Sequence, residues 1–331
     1  MRVTQFSVIN PYKQNLEEVQ NRRFKNQIRM STGKEIIGLG DAPEKIPDVK
    51  KISALIQQNE DYLRILDDQI GQFQQTENYL QAISDKMEKI RQLAIDGTQV
   101  GNMGNLSVLG NYIKGIITDI LRDANADYNG SFLFAGTKTK AQSFDSSLPN
   151  SNDMPFELIE GPPTPQNKSG LFVVFKGNQE ARILNKDQKT SEKVNTTSEE
   201  IFGQNGTEVF SALIDLYNLV MYNEDGTTRG PNDVLKVEEV EKLNKIQEKI
   251  ASFSYKINQI TSRNGGRANR FQILRDQIYE ENNRLKEFLS QKNDADIAKT
   301  ALELSKDEYA LQYSLQLGGR ILQNSLFDFL K

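Results

Sequence analysis

The 331-residue sequence contains no cysteine, no histidine and no tryptophan. Without thiols or imidazoles the chain can offer no Cys nucleophile, no His general base, no Cys/His zinc site and no disulfide, so most enzyme classes and metal centres fall away at once. An excess of one charge is also lacking. The 41 basic and 45 acidic residues leave a net charge of −4, too even a balance for nucleic acid or an anionic membrane surface. No stretch approaches the ~18 consecutive apolar residues of a membrane span. The opening residues, MRVTQFSVINPYKQNL, lack the apolar core and small-residue cleavage site of a secretory leader, so an exported product would leave without a cleaved signal.

Carboxylates and glycines give no better start. Asp67-Asp68 and the pair Asp294 and Asp296 have no basic or metal-binding companion in sequence and read as solvated helix faces. Gly33-Lys34 lacks the rest of a phosphate-binding loop, and Gly265-Gly266 follows no strand. No catalytic, cofactor-binding or metal site is expected.

What is present is a long hydrophobic rhythm. Between Asp48 and Asp96, Val49, Ile52, Ile56, Leu63, Leu66, Ile70, Phe73, Leu80 and Met87 recur on three- and four-residue steps, a heptad seam. Asn59, Glu77 and Ser84 interrupt it with polar side chains, which weaken such a seam while fixing its register. The rhythm returns as Leu243, Ile246, Ile250, Phe253, Ile257 and Ile260, then Phe271, Leu274, Ile278, Leu285 and Phe288. Counting sevens places Asn264 and Arg267 at the intervening seam positions, so the phase survives the glycine pair. This predicts one helix through it, with a bend there as the permitted departure. Two long helices separated by a compact insert should run antiparallel.

Shorter patterns fill the remainder. Leu106, Leu109, Ile113, Ile117, Ile120, Ala124 and Tyr128 predict a helix folding back on the first, and Val209, Phe210, Leu213, Leu216, Tyr217 and Val220 another. Asn129-Gly130 is a turn signal before a short strand, Ser131 to Phe134. From about Ala141 to Gln204 helical periodicity disappears. Prolines 149, 155, 162, 163 and 165 separate short strand-like runs, Phe156 to Ile159, Leu171 to Phe175 and Ala181 to Leu184, which reads as a β-rich insert with loops too polar to be central.

Both ends are amphipathic. Ile9, Tyr12, Leu16 and Val19 form a narrow stripe, and Ile297, Ala301, Leu304, Leu311, Leu315 and Leu322 another, widened by Leu302, Leu317 and Ile321 and closing on Leu326, Phe327, Phe329 and Leu330. Such thin terminal helices are marginal alone. The expected interface residues are Ile9, Tyr12, Leu16, Val19, Leu304, Leu311, Leu315, Leu322, Leu326 and Phe327. Gly318-Gly319 inside the last helix would cost about 2 kcal/mol relative to alanine, which calls for a kink or a close helix contact.

The expected fold is mainly α with a small β-rich insert, its long antiparallel coiled-coil-like rod formed by the N- and C-terminal halves. Three domains are expected: terminal helices (1–42 with 292–331), a helical rod (43–140 with 206–291) and a β-rich insert (141–205).

Particular residues also carry a family likeness. Met30-Ser31-Thr32-Gly33-Lys34 with Asp41-Ala42-Pro43, and Lys89-Ile90-Arg91-Gln92-Leu93-Ala94 near the end of the long helix, resemble the N-terminal region of bacterial flagellins and their hook–filament junction relatives. Asn264 to Phe271 (NGGRANRF), which holds Asn269 and Arg270, and Asp294-Ala295-Asp296-Ile297-Ala298 are similar to the matching C-terminal region. Phe132 to Thr139, followed by Phe144, and the ending Ser325 to Leu330 are closer to the junction branch. The resemblance implies a non-enzymatic adaptor secreted through the flagellar type III apparatus to the extracellular flagellum. Its implied partners are hook-associated protein 1, flagellin, an export chaperone and further copies of itself in a ring, with neither nucleic acid nor membrane insertion. The alternatives are a filament flagellin and, from another class, a coiled-coil secretion-system tip or translocator protein.

Overall fold

A computed structural model of the protein describes residues 6–38, 40–96, 106–140, 154–185, 191–231 and 233–329, without the side chains of 6–9, 96, 185 and 321–329. Seven α-helices and six short strands follow in order among the described residues: α1 (Phe6–Thr32), α2 (Ile46–Asp96), α3 (Leu106–Ala124), β1 (Asp127–Tyr128), β2 (Ser131–Phe132), β3 (Phe156–Glu160), β4 (Leu171–Phe175), β5 (Ile183–Asn185), β6 (Ser191–Lys193), α4 (Ser198–Phe202), α5 (Glu208–Met221), α6 (Val237–Asn293) and α7 (Ile297–Phe329). The protein is mainly helical with a small strand-containing insert, as its patterning predicts. The chain divides into two compact units, Met1–Arg64 with Asp276–Lys331, and Ile65–Arg275, to both of which α2 and α6 contribute.

The larger unit, 65–275, holds almost all of the buried apolar side chains. α2 and α6 run antiparallel within it: Asp67 pairs with Arg275 at 2.8 Å, and Ser84 donates to Asn258 Oδ1 at 3.1 Å. The seam residues Leu66, Ile70, Phe73, Leu80 and Met87 are buried, as are Leu243, Ile250, Phe253, Ile257, Ile260 and Phe271. α6 passes through Gly265-Gly266 as a single helix. Beside that pair, the buried Asn264 donates to the Phe73 carbonyl at 2.8 Å, and the Phe73 and Phe271 rings meet edge to face at 5.3 Å. The polar seam position therefore marks a fixed crossing of the two helices.

α3 and α5 lie on each other with their apolar faces inward, and β3 and β4 pack against them. Asn129 and Gly130 both take positive φ, 51° and 73°, the two-residue turn that best fits the strand twist between β1 and β2. β3 and β4 form an antiparallel hairpin, and β5 and β6 another. The insert is less peripheral than its polar loops suggest, because Phe156, Leu171, Ile201 and Phe202 enter the same core as α3 and α5. Phe202 lies 5.2 Å from Phe156 and 5.1 Å from Phe210, so one aromatic cluster joins β3, α4 and α5. Near the start of α6, Arg229 and Glu239 form a buried ion pair at 2.5 Å, with the Leu219 carbonyl accepting two further guanidinium bonds.

The smaller unit, 1–64 with 276–331, is built from α1, α7, the first part of α2 and the last part of α6. There too α2 and α6 are antiparallel, with Asp48 facing Lys292 at 2.5 Å and Glu60 facing Lys286 at 2.7 Å. The seam is looser here. Ile56 is buried, Val49, Ile52, Leu63, Ile278 and Leu285 are half-buried, and Phe288, expected inside, is 55% exposed.

Candidate assembly surface at the chain ends

The terminal helices α1 and α7 pack against each other, antiparallel, through a ladder of polar bonds. Tyr12 Oη donates to the Ser314 carbonyl at 2.9 Å. Further along, Arg22 Nε and Asn26 Nδ2 donate to the two carboxylate oxygens of the buried Asp307, at 3.2 and 2.9 Å. At the base, Lys34 pairs with Asp294 at 2.6 Å. The first three bonds each tie one height on α1 to one height on α7, and the Lys34–Asp294 pair joins the turns at their base, so the helix pair has a defined register.

The base of the ladder is a clasp between the two interhelix turns. Gly33 leaves α1 with φ 67°, a left-handed terminus natural for glycine. Its carbonyl accepts from Ala295 N at 2.9 Å, Glu35 N donates to the Asn293 carbonyl at 2.6 Å, and Ile36 N donates to Asn293 Oδ1 at 3.2 Å. Asp296 then starts α7, accepting from Lys299 N at 3.0 Å as an N-cap. Asp41 holds the other side of the α1–α2 loop. Its carboxylate accepts from Lys25 Nζ at 2.8 Å and from the Gly38 and Ile37 amides at 2.9 and 3.1 Å. The Lys25 bond first, and the Gly38 amide next, bring its pKa from 3.8 down to about 2. Lys34, and then Ser290, likewise hold the Asp294 carboxyl below its ordinary range.

Little apolar surface is buried in this unit. Among its described side chains only Val19 and Ile56 are buried apolar residues, whereas Asn26, Asn282, Thr300 and Asp307 are buried polar ones. Of the expected interface residues, Tyr12, Leu16, Leu304 and Leu311 are half-buried and Leu315 is 55% exposed. Ile9, Leu322, Leu326 and Phe327 lie outside the described side chains. α7 carries a second ridge, Leu302, Tyr309, Tyr313 and Leu317, each more than half exposed. By helical period this ridge is centred about a third of a turn around the helix from Asp307, Ser314 and Gly318, which face α1.

The two halves of the quoted motif end up in different places. Gly33 and Asp294 meet in the clasp, Asp41 and Asp296 support it, and Ser31 and Thr32 cap the end of α1 by donating to the Ile28 carbonyl. In the larger unit, Arg91 pairs with Glu88 one turn away, Leu93 packs against the core, Asn269 is exposed and Arg270 pairs with Glu192 of β6. Sequence patterning did not single out Arg22, Asn26 and Asp307. The available signal was an acidic residue midway between Leu304 and Leu311 in an apolar stripe.

Comparison with known proteins agrees with this architecture. Residues 5–139 match the bacterial flagellin N-terminal helical region. No curated protein matches the sequence. Among solved structures, one from Vibrio parahaemolyticus, provisionally named a flagellar hook-associated protein, is similar at 17% identity and a TM-score of 0.57, covering 77% of this chain and 100% of that one. FlgL of Xanthomonas campestris aligns at 14% identity and a TM-score of 0.54, covering 73% and 99%. Flagellar hook-associated protein 3 of Legionella pneumophila aligns at 11% identity and a TM-score of 0.53, covering 73% and 98%. Residues 5–139 of the chain thus match the flagellin N-terminal helical region, and the chain has the fold of flagellar hook-associated proteins.

Proposed function

We propose that the protein is a structural adaptor of the bacterial flagellum, a hook-associated protein 3 at the extracellular hook–filament junction, and that it performs no catalysis. The observation that carries this reading is the contrast between the two units: a packed larger one, and a terminal one with two buried apolar residues among its described side chains and an exposed ridge on α7. A surface of that kind is satisfied by association. Further copies of this chain in a ring, hook-associated protein 1 on one side and flagellin on the other fit the role, with an export chaperone covering the chain beforehand. On this reading residues 1–42 with 292–331 form the inner, assembly-ordered part, 43–140 with 206–291 the rod, and 141–205 the outer insert.

Deleting residues 305–331 tests the proposal. The truncated chain should keep the thermal transition of the larger unit while failing to restore junctions and motility to a strain lacking the protein. Normal junctions built from the truncated chain would overturn it. The flagellin reading draws support from the family match over residues 5–139. Immunogold labelling separates the two, with a single band at the filament base expected and labelling along the filament pointing to flagellin.

A further inference from the structure

Three Asn-Gly pairs occur among the described residues, at Asn129, Asn205 and Asn264, and they sit in very different surroundings. Asn264 lies inside α6, buried, with its side-chain nitrogen donating to the Phe73 carbonyl. Asn205 is exposed, but Gly206 after it is buried, its N–H is donated to the neutral Gly203 carbonyl, and a methyl group placed on it would lie 2.6 Å from Ser198 Oγ. Asn129 is exposed at the tip of a hairpin whose strands are two residues each. Gly130 has open space around it. Its N–H donates to Asp127 Oδ2 at 3.0 Å, and the Asn129 side-chain nitrogen donates to Asp68 Oδ1 at 3.2 Å.

The geometry points to Asn129-Gly130 as a site of spontaneous deamidation, the first in the chain to convert, which turns the β1–β2 hairpin into a slow irreversible switch. Gly130 N attacks Asn129 Cγ and closes a cyclic imide. The side-chain nitrogen leaves as ammonia, carrying away the proton that Gly130 gives up, and Asp127 is placed to pass that proton on. Water then opens the imide at either carbonyl, giving aspartate or isoaspartate. Three features favour Asn129 over the other two: an unhindered glycine nitrogen, a carboxylate at its N–H, and a hairpin too short to be stable by itself. The buried helical Asn264 must await local unfolding.

Conversion changes the local chemistry in one direction. Asn129 now donates to Asp68, and a carboxylate in its place would face Asp68 and Asp127 as a like charge. An isoaspartate also lengthens the backbone of a two-residue turn whose register depends on its length. Tyr128, whose hydroxyl lies so close over α2 that a side chain at position 71 would have to push it aside, is the side chain freed when the hairpin opens.

The test is to hold the purified full-length chain at mildly alkaline pH and follow the mass gain of amide-to-acid conversion at each Asn-Gly peptide. Conversion at Asn129 should precede that at Asn205 and exceed that at Asn264 by about tenfold or more, a barrier difference of about 1.4 kcal/mol. The Phe132 and Leu133 amides, bonded to Thr139 and Ala126, should exchange faster in the converted fraction. Asn129→Gly, which accepts the positive φ, should fold normally and lose the early conversion. Earlier conversion at Asn205 or Asn264, or unchanged exchange at Phe132 and Leu133 after Asn129 has converted, would overturn the inference.

Discussion

Gly318 lies in the interior of α7, where glycine ordinarily weakens a helix. A methyl group there would sit 2.2 Å from Tyr12 Oη, so the missing side chain is the space into which Tyr12 fits while it donates to Ser314. Of the two outcomes the glycine pair allowed, the structure shows a close helix contact, and α7 continues through it. Gly318→Ala should displace Tyr12 and weaken the α1–α7 pair by about 1–3 kcal/mol despite the better helix propensity. Gly319→Ala, with open space around it, should instead strengthen α7. Amide exchange along α1 in the two variants distinguishes these effects.

At the scale of elements, the loop from α1 to α2 is a carboxylate-organised turn. Asp41 has its pKa lowered from 3.8 to about 2, so it binds fewer protons when folded than when unfolded. The stability it contributes is fully present above pH 3.8 and is lost as pH falls through about 2. The Ile37 and Gly38 amides should therefore stay protected at mildly acidic pH and lose protection across that window, and Asp41→Asn should flatten the transition. The helices, and the unbroken passage through Gly265-Gly266, could be read from sequence because their apolar residues recur over many turns. The strands were legible only where their side chains showed it. β4 matches its apolar run from Leu171 to Phe175, whereas β6 is Ser191-Glu192-Lys193, polar throughout. Its pairing is decided by backbone bonds to β5 and by ion pairs of Lys193 with Glu200 and of Glu192 with Arg270, the last a long-range partner that no local pattern announces. Asp307 is hidden in the same way, since its burial depends on Arg22 and Asn26 at the other end of the chain.

For the whole molecule, stability should be uneven. Unit 65–275 has a continuous apolar core with Phe134, Phe156, Phe202 and Phe210 fully enclosed. The terminal unit depends on polar bonds worth only about 1 kcal/mol each in net terms. Hydrogen exchange on the isolated chain should show strong protection of α3, α5 and the adjoining halves of α2 and α6, and fast exchange in α1 and α7. Uniform protection out to both termini would mean that the ends are self-sufficient, contrary to the proposed role.

The polar ladder between α1 and α7 has a further consequence. Apolar stripes alone would let two helices slide by a turn, about 5.4 Å, at little cost. Here such a slip would part the Asp307 carboxylate from at least one of Arg22 and Asn26 and separate Lys34 from Asp294. The ladder therefore acts as a gauge: it holds the outer ridge of α7 at a set height, so that, in the proposed assembly, copies would inherit a common pitch without an external ruler.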